Sequence, residues 1–185
     1  MNEMLHALQN RNSAPRLCGP APSRDELKEM IRAAIRAPDH AWLRPWRFLA
    51  IEGHRREALG HILENGLITR DPLAGDMARN KASRAPLRAP LILVAIARLI
   101  EHPKVPESEQ RLSAACATHS VLLAAEALGY AGMWRTGGSS FDRTVMADLG
   151  LSNNEEIVGF LYLGTRDGPS KAIPDLDPEH FLSDW

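Results

Sequence analysis

The sequence predicts an α+β fold in which helices surround a central sheet, and three observations predict it. The pattern reads helix, helix, strand, helices, strand, helix, strand, helix, strand, without the strict alternation of a doubly wound fold. Leu91 to Ala97 is an uninterrupted apolar run of the kind found in a strand covered on both faces. A long helical stretch rich in small residues lies between two strand patterns. With 185 residues the chain is long enough for a sizeable core and is read as one domain, residues 1–185.

Met4, Leu5 and Leu8 share helical spacing, which predicts a first helix over 2–11. A turn follows at Gly19-Pro20-Ala21-Pro22. Ser23 and Glu26 have the spacing of a capping box, and Leu27, Met30, Ile31, Ala34 and Ile35 form one apolar face of a second helix. That helix must stop before Pro38, because a residue preceding proline is pushed out of helical geometry. Arg47 to Glu52 reads as a strand ending at Gly53, and 54–66 and 72–84 read as helices. Pro106 and Ser108 open the longest helix, which Gly129 ends. Its Ala114, Ala115, Ala117, Ala124 and Ala125 allow close approach of another helix, in the core or across a subunit contact. Strands are expected at Tyr130 to Arg135 and Ile157 to Leu163, with a short helix at Phe141 to Asp148 between them. The proline-punctuated tail from Lys171 ends in Phe181, Leu182 and Trp185, apolar residues that packing on a partner chain would bury.

A formal net charge of -1 supplies no field for gathering nucleic acid. No apolar run approaches the roughly 20 residues of a membrane span, and Met1 to His6 lack the basic and apolar regions of a signal peptide. Cys18 and Cys116 form neither a disulfide framework nor a Cys-x-x-Cys motif, so a reducing cytoplasm is the expected compartment. Cys116, set among alanines, reads as a small buried hydrophobe.

There is no Gly-x-Gly-x-x-Gly, phosphate-binding loop, His-Glu-x-x-His or Gly-x-Ser-x-Gly signature. His61 and Glu64 share a helix face and read as a solvated pair; no metal site is expected. Three polar clusters stand at element ends, where binding residues concentrate. Arg11-Asn12-Ser13, extended by Arg16, offers charge-assisted donors to a phosphate, or else complements a helix C-terminus. Arg36-Ala37-Pro38-Asp39-His40, followed by Trp42 and Pro45-Trp46, is a stiff loop. It presents donors and an aromatic wall to a planar ligand, or its tryptophans fill the core. Trp134-Arg135-Thr136-Gly137-Gly138-Ser139-Ser140 follows a strand, and its glycines either admit a ligand close to the backbone or make an ordinary turn.

Together these segments resemble the nitroreductase family, in particular its minimal short-chain NAD(P)H nitroreductase subgroup. Ala89-Pro90-Leu91-Ile92, Lys104-Val105-Pro106, Gly132 to Gly137 and Gly159-Phe160-Leu161-Tyr162-Leu163-Gly164 follow in the family's order, so the resemblance covers essentially the whole chain. It implies a nitroreductase-like fold with a mainly antiparallel sheet, and an intertwined homodimer with FMN at the subunit interface. It also implies NAD(P)H as co-substrate and nitroaromatic or quinone-like acceptors reduced by a ping-pong mechanism. By matching position, Arg11, Asn12 and Ser13 hold the FMN phosphate and ribityl end, and Trp134, Arg135 and Thr136 line the same flavin. Arg36 and His40 reach it from the partner chain. Ala124 to Gly129 is the nearest match to a nicotinamide-nucleotide contact, and Lys81, Lys104 and Arg111 stand as 2′-phosphate ligands or as solvated surface. Asn12 departs from close relatives that have a second arginine there. No catalytic acid, base or nucleophile is assigned. The same fold also admits a dehalogenase, a flavin-degrading oxygenase or a low-turnover flavin sensor.

Overall fold

In the computed structural model, which describes residues 3–185, helices lie on both faces of an antiparallel sheet. The strands are β1 (Leu17–Cys18), β2 (Trp46–Glu52), β3 (Leu91–Arg98), β4 (Ala131–Arg135) and β5 (Glu155–Arg166). The helices are α1 (Glu3–Asn10), α2 (Arg24–Ala34), α3 (Arg55–Arg70), α4 (Asp76–Arg84), α5 (Glu107–Ala127) and α6 (Arg143–Asp148). The first position of the expected 2–11 helix, Asn2, lies outside the described residues. Among the described residues, no helix is long and apolar enough to cross a membrane.

β3 is the middle of the sheet. It pairs with β2 from Trp46↔Ala97 to Glu52↔Leu91, and with β5 from Leu91↔Leu163 to Arg98↔Glu155. β4 runs along β5 from Ala131↔Gly164 to Arg135↔Phe160, and β1 pairs with the end of β5 through Leu17↔Arg166 and Cys18↔Thr165. Leu91 through Ala97 are all buried, as their continuous apolar character demands. Strand alternation then divides them between two cores. Leu91, Leu93 and Ala97 pack with Met30 and Ala34 of α2 and Ala117 and Val121 of α5. Ile92, Val94 and Ile96 pack with Leu59 and Leu63 of α3 and Val145 and Met146 of α6.

The second helix carries the expected capping box, with reciprocal bonds between Ser23 and Glu26. Other boundaries differ for physical reasons. α3 runs to Arg70, past the end expected near residue 66, because Gly66 is buried against α6 and does not end the helix. β5 is longer than Ile157–Leu163, because ion pairs at its start and the short β1 at its end extend the pairing. The short helix expected at Phe141 to Asp148 is α6, which begins at Arg143 because Asp142 caps it by accepting from Thr144 N; a 3-10 turn, Gly138–Ser140, precedes it. Cys116 corrects a sequence expectation. It is exposed, because it lies on the outer face of α5 with Leu112, while Ala114, Ala117 and Val121 face the core.

A charged cluster fixes the start of β5. Arg47 donates to both carboxylate oxygens of Glu155 at 2.6 and 2.7 Å, Arg98 approaches the same carboxylate, and Ser152 N donates to it at 3.0 Å. These partners, the Arg47 hydrogen bonds above all, hold the Glu155 carboxyl at about 2, well below its usual range. A depressed carboxyl contributes stability that is complete above its unfolded value and is lost as pH falls toward the folded one. Melting temperature should therefore drop between about pH 5 and pH 2. Glu155→Gln should be less stable than the wild type by roughly 1.5–3 kcal/mol at neutral pH, with the gap narrowing in acid. A constant gap across that window, in thermal melts followed by circular dichroism, would contradict the assignment.

Candidate active site

The N-terminal segment is tied to the edge of the sheet. Past the end of α1, Arg11 Nη1 donates to Ser13 Oγ at 3.2 Å, and Ala14 N donates to the Gly132 carbonyl of β4 at 3.0 Å. Asn12 is held twice: its side chain donates to the Lys171 carbonyl at 2.6 Å, and its own carbonyl accepts from Arg166 Nη2 at 2.8 Å. The chain start and the tail after β5 thus meet beside β4. Arg11 has no carboxylate partner among the described residues, and the buried Nη1 of Arg166 has no hydrogen-bond partner. The segment is rich in donors and short of acceptors.

β4 ends three residues beyond Gly132, at Arg135, about 10 Å farther along the strand. Alternation sends neighbouring side chains to opposite faces. Trp134 packs in the α2/α5 core, and its indole Nε1 donates to the Val158 carbonyl at 3.3 Å, where β5 bulges between Ile157 and Gly159. Arg135 goes the other way and lies over the Tyr162 ring, 5.1 Å from its centroid. Gly137, at φ 98°, turns the chain after the strand in a conformation that side-chain-bearing residues rarely adopt.

A cavity of about 800 Å³ opens on the Arg135 face, between α3, α4, the 3-10 turn Ala85–Arg88 and the loop after β4. Arg135, Thr136 and Gly137 line it, with Phe160 and Tyr162 in its wall. Burial, and then repulsion from Arg88, pulls the Arg135 guanidinium below its usual range, and its buried Nε has no hydrogen-bond partner. Burial raises the Tyr162 phenol, against the opposing pull of the Arg135 and Arg88 charges. Trp134 does not line this cavity.

The Arg36–Trp46 loop lies elsewhere. Ala41, Trp42 and Arg44 all have positive φ (60°, 56° and 49°), a strained run for residues other than glycine. The Asp39 carboxylate holds it by accepting from Leu43 N at 3.2 Å and Arg44 N at 2.7 Å. Trp46 enters the core, whereas Trp42 is 80% exposed. His40 Nδ1 lies 2.7 Å from the Glu109 carboxylate of α5, and the exposed Arg36 makes no ion pair or side-chain hydrogen bond among the described residues. Neither residue lines the cavity that holds Arg135. Within one chain, therefore, Arg11–Ser13 and Arg135–Gly137 share the β4 edge, while Arg36 and His40 stand apart on the α2/α5 side.

Of the three cations weighed for a nucleotide phosphate, Lys81 lines the cavity. Arg111 is committed to Glu156 and Glu107, and Lys104 does not line the cavity. Ala124 to Gly129 ends α5 and does not reach the cavity either. Sequence reasoning missed Arg84, Arg88, Arg166 and the Lys171 carbonyl. Arg84 and Arg88, four apart and flanking Pro86, carried the only local signal; the other two meet the site through contacts of long sequence separation.

Residues 17–165 match the nitroreductase family. Arg11–Ser13 lies just before that match. The chain is 42% identical over 179 residues to the "Putative NAD(P)H nitroreductase YdjA" of Escherichia coli strain K12, covering 95% of this chain and 97% of the relative. Its fold is similar to that of a nitroreductase-like family protein from Bacillus cereus, with a TM-score of 0.84 at 20% identity, covering 100% of this chain and 97% of the other. It is also similar to that of a mutant of the FMN and NADPH-dependent nitroreductase NfnB from sphigopyxis sp. strain HMH, with a TM-score of 0.78 at 20% identity and 98% of each chain covered.

The packing of Trp134 makes a prediction. A Cβ built on Gly159 would stand 2.1 Å from Trp134 Nε1, so Gly159→Ala must displace the indole and with it the end of β4. The variant should lose about 1–3 kcal/mol of stability through overpacking and show altered Trp fluorescence. Wild-type stability and emission would mean that the indole does not pack on Gly159.

Proposed function

This chain belongs to the nitroreductase family, and from that premise we propose that it is an FMN-dependent oxidoreductase. It takes hydride from NAD(P)H and reduces nitroaromatic or quinone-like small molecules in a ping-pong cycle. The observation that carries the reading is the spacing of two electropositive stations, Arg11–Ser13 with Arg166 and Arg135–Gly137, about 10 Å apart along the edge of β4. That spacing suits an elongated ligand with an anionic end and a planar end. The residues present fit FMN: two buried guanidinium nitrogens lack acceptors, and Arg11 and Ser13 offer donors to a phosphate.

In this reading Arg11, Asn12 and Ser13 hold the phosphate and ribityl end, with Asn12 also fastening the tail through Lys171. The side chain lost by having Asn12 in place of a second arginine is made up by Arg166, which reaches the same segment from β5. Arg135 and Thr136 face the ring, and Trp134 sets their position from the opposite side of β4. When bound, FMN would supply the hydride and electron-transfer chemistry. The protein's part is to bind, orient and limit access, so no side chain is assigned as acid, base or nucleophile. One pocket serving donor and acceptor in turn is the basis of the ping-pong order.

The functional unit is the whole chain as a homodimer, with Arg36 and His40 supplied to each site by the partner. Their separation from the β4 edge within one chain supports this arrangement. So do the exposed apolar groups on α1 (Met4), α5 (Leu112) and the tail (Phe181 and Trp185).

The purified protein should be yellow and release FMN on denaturation. Arg11→Ala should weaken FMN binding roughly ten- to two-hundred-fold, the value of one charge-assisted hydrogen bond, while Lys104→Ala leaves it unchanged. Fluorescence titration of stripped protein with FMN measures both. A protein that binds no FMN in any preparation would overturn the proposal.

A further inference from the structure

Of the two residues assigned to the partner's flavin, His40 is the one gripped by another element. Its Nδ1 lies 2.7 Å from Glu109 Oε2, which stands on the first turn of α5. An ionised carboxylate can only accept, so Nδ1 carries the proton in this contact. Nε2 makes no hydrogen bond among the described residues. Two carboxylates, Asp39 and Glu109, line the small cavity beside the ring, together with the Cys116 thiol. Asp39 is occupied by Leu43 N and Arg44 N, whereas the Glu109 side chain bonds to His40 and to no other described residue. The turn that carries Glu109 is itself fixed. Gln110, buried beside it, accepts from Ile100 N at 3.0 Å and donates to the Ile100 and Val105 carbonyls at 2.8 and 3.2 Å. Arg111, the next residue, is held by Glu156. A half-exposed ion pair is ordinarily worth little, because two side chains lose freedom to form it. Here both backbones are already held by other bonds, and what the contact fixes is the imidazole.

We propose that Glu109 is a positioning residue for the flavin site: it holds the His40 ring through Nδ1 and commits Nε2 to the partner's cofactor. This rests on the reading of His40 as a flavin contact supplied across the dimer. The two nitrogens of a histidine are distinct, and the hydrogen bond made by one decides the role left to the other. With Nδ1 donating to Glu109, Nε2 of the neutral ring is an acceptor, suited to a hydroxyl or a ring N–H of the flavin. Without the carboxylate the neutral ring can place its proton on either nitrogen and turn freely. A ring that is oriented beforehand loses less freedom when the cofactor binds.

Two measurements test this, with thermal melts establishing that every variant is folded. Nitrogen-15 NMR, with the His40 signals identified by their loss in His40→Ala, should show a neutral ring protonated on Nδ1 in the wild type. Glu109→Ala should shift it toward the Nε2–H form that free histidine prefers, a change that a merely structural role would not produce. Fluorescence titration of stripped protein should show Glu109→Ala binding FMN about two- to tenfold more weakly, the value of one ordinary hydrogen bond. In a His40→Ala background the same substitution should cost nothing further, because Glu109 acts through His40. A tautomer unmoved by Glu109→Ala, or a loss of FMN affinity equal with and without His40, would overturn the proposal. Failure of the underlying reading has a different signature. His40→Ala would then bind FMN as tightly as the wild type, and the proposal would fall with it even where the tautomer responds to Glu109.

Discussion

The candidate site depends on how β4 is seated against β5. Trp134 lies on Gly159 and donates to the Val158 carbonyl at the bulge, so the last turn of the strand cannot rotate without breaking a core contact. With the indole fixed on one face, strand alternation leaves Arg135 no choice but the other, over Tyr162 and into the cavity. Gly137 then turns the backbone away from the sheet. The three-layer packing on β3 supplies the rigidity behind this arrangement, and the Glu155 cluster fixes the start of the same β5 against which β4 is registered.

The site is also defined by charges left without partners. Several arginines elsewhere are paired with carboxylates: Arg47 with Glu155, Arg111 with Glu156, Arg70 with Asp142. Along the β4 edge and around the cavity the matching stops, and the described residues supply cations and donors without acceptors. In the proposed reading, a flavin phosphate would satisfy the Arg11–Arg166 end.

Much of the fold was legible in the sequence because local signals and tertiary packing agreed. The Ser23–Glu26 capping box, the apolar run of β3 and the small residues of α5 each imply what the structure contains. β1 was not legible, since two residues carry no periodicity and their pairing is decided by β5, almost 150 positions away. Cys116 was misread because helical neighbours define which residues are small, not which face they occupy. The Arg11, Arg36 and Arg135 clusters were legible as segments through the family resemblance. The opposite orientations of Trp134 and Arg135, and the roles of Arg166 and Arg88, follow from strand alternation and long-range contacts that no local pattern encodes.

The proposed flavin site is shared between two chains, with Arg11 from one and His40 from the other. Arg11→Ala and His40→Ala proteins, each impaired in FMN binding, can be unfolded and refolded together at equal concentrations, so that about half of the dimers are mixed. In a mixed dimer one site collects both substitutions and the other has neither. FMN binding should therefore return to about a quarter of all sites, a fraction set by two-fold symmetry alone. No recovery, with tagged chains proving that mixed dimers formed and wild-type protein refolding normally, would contradict a shared site.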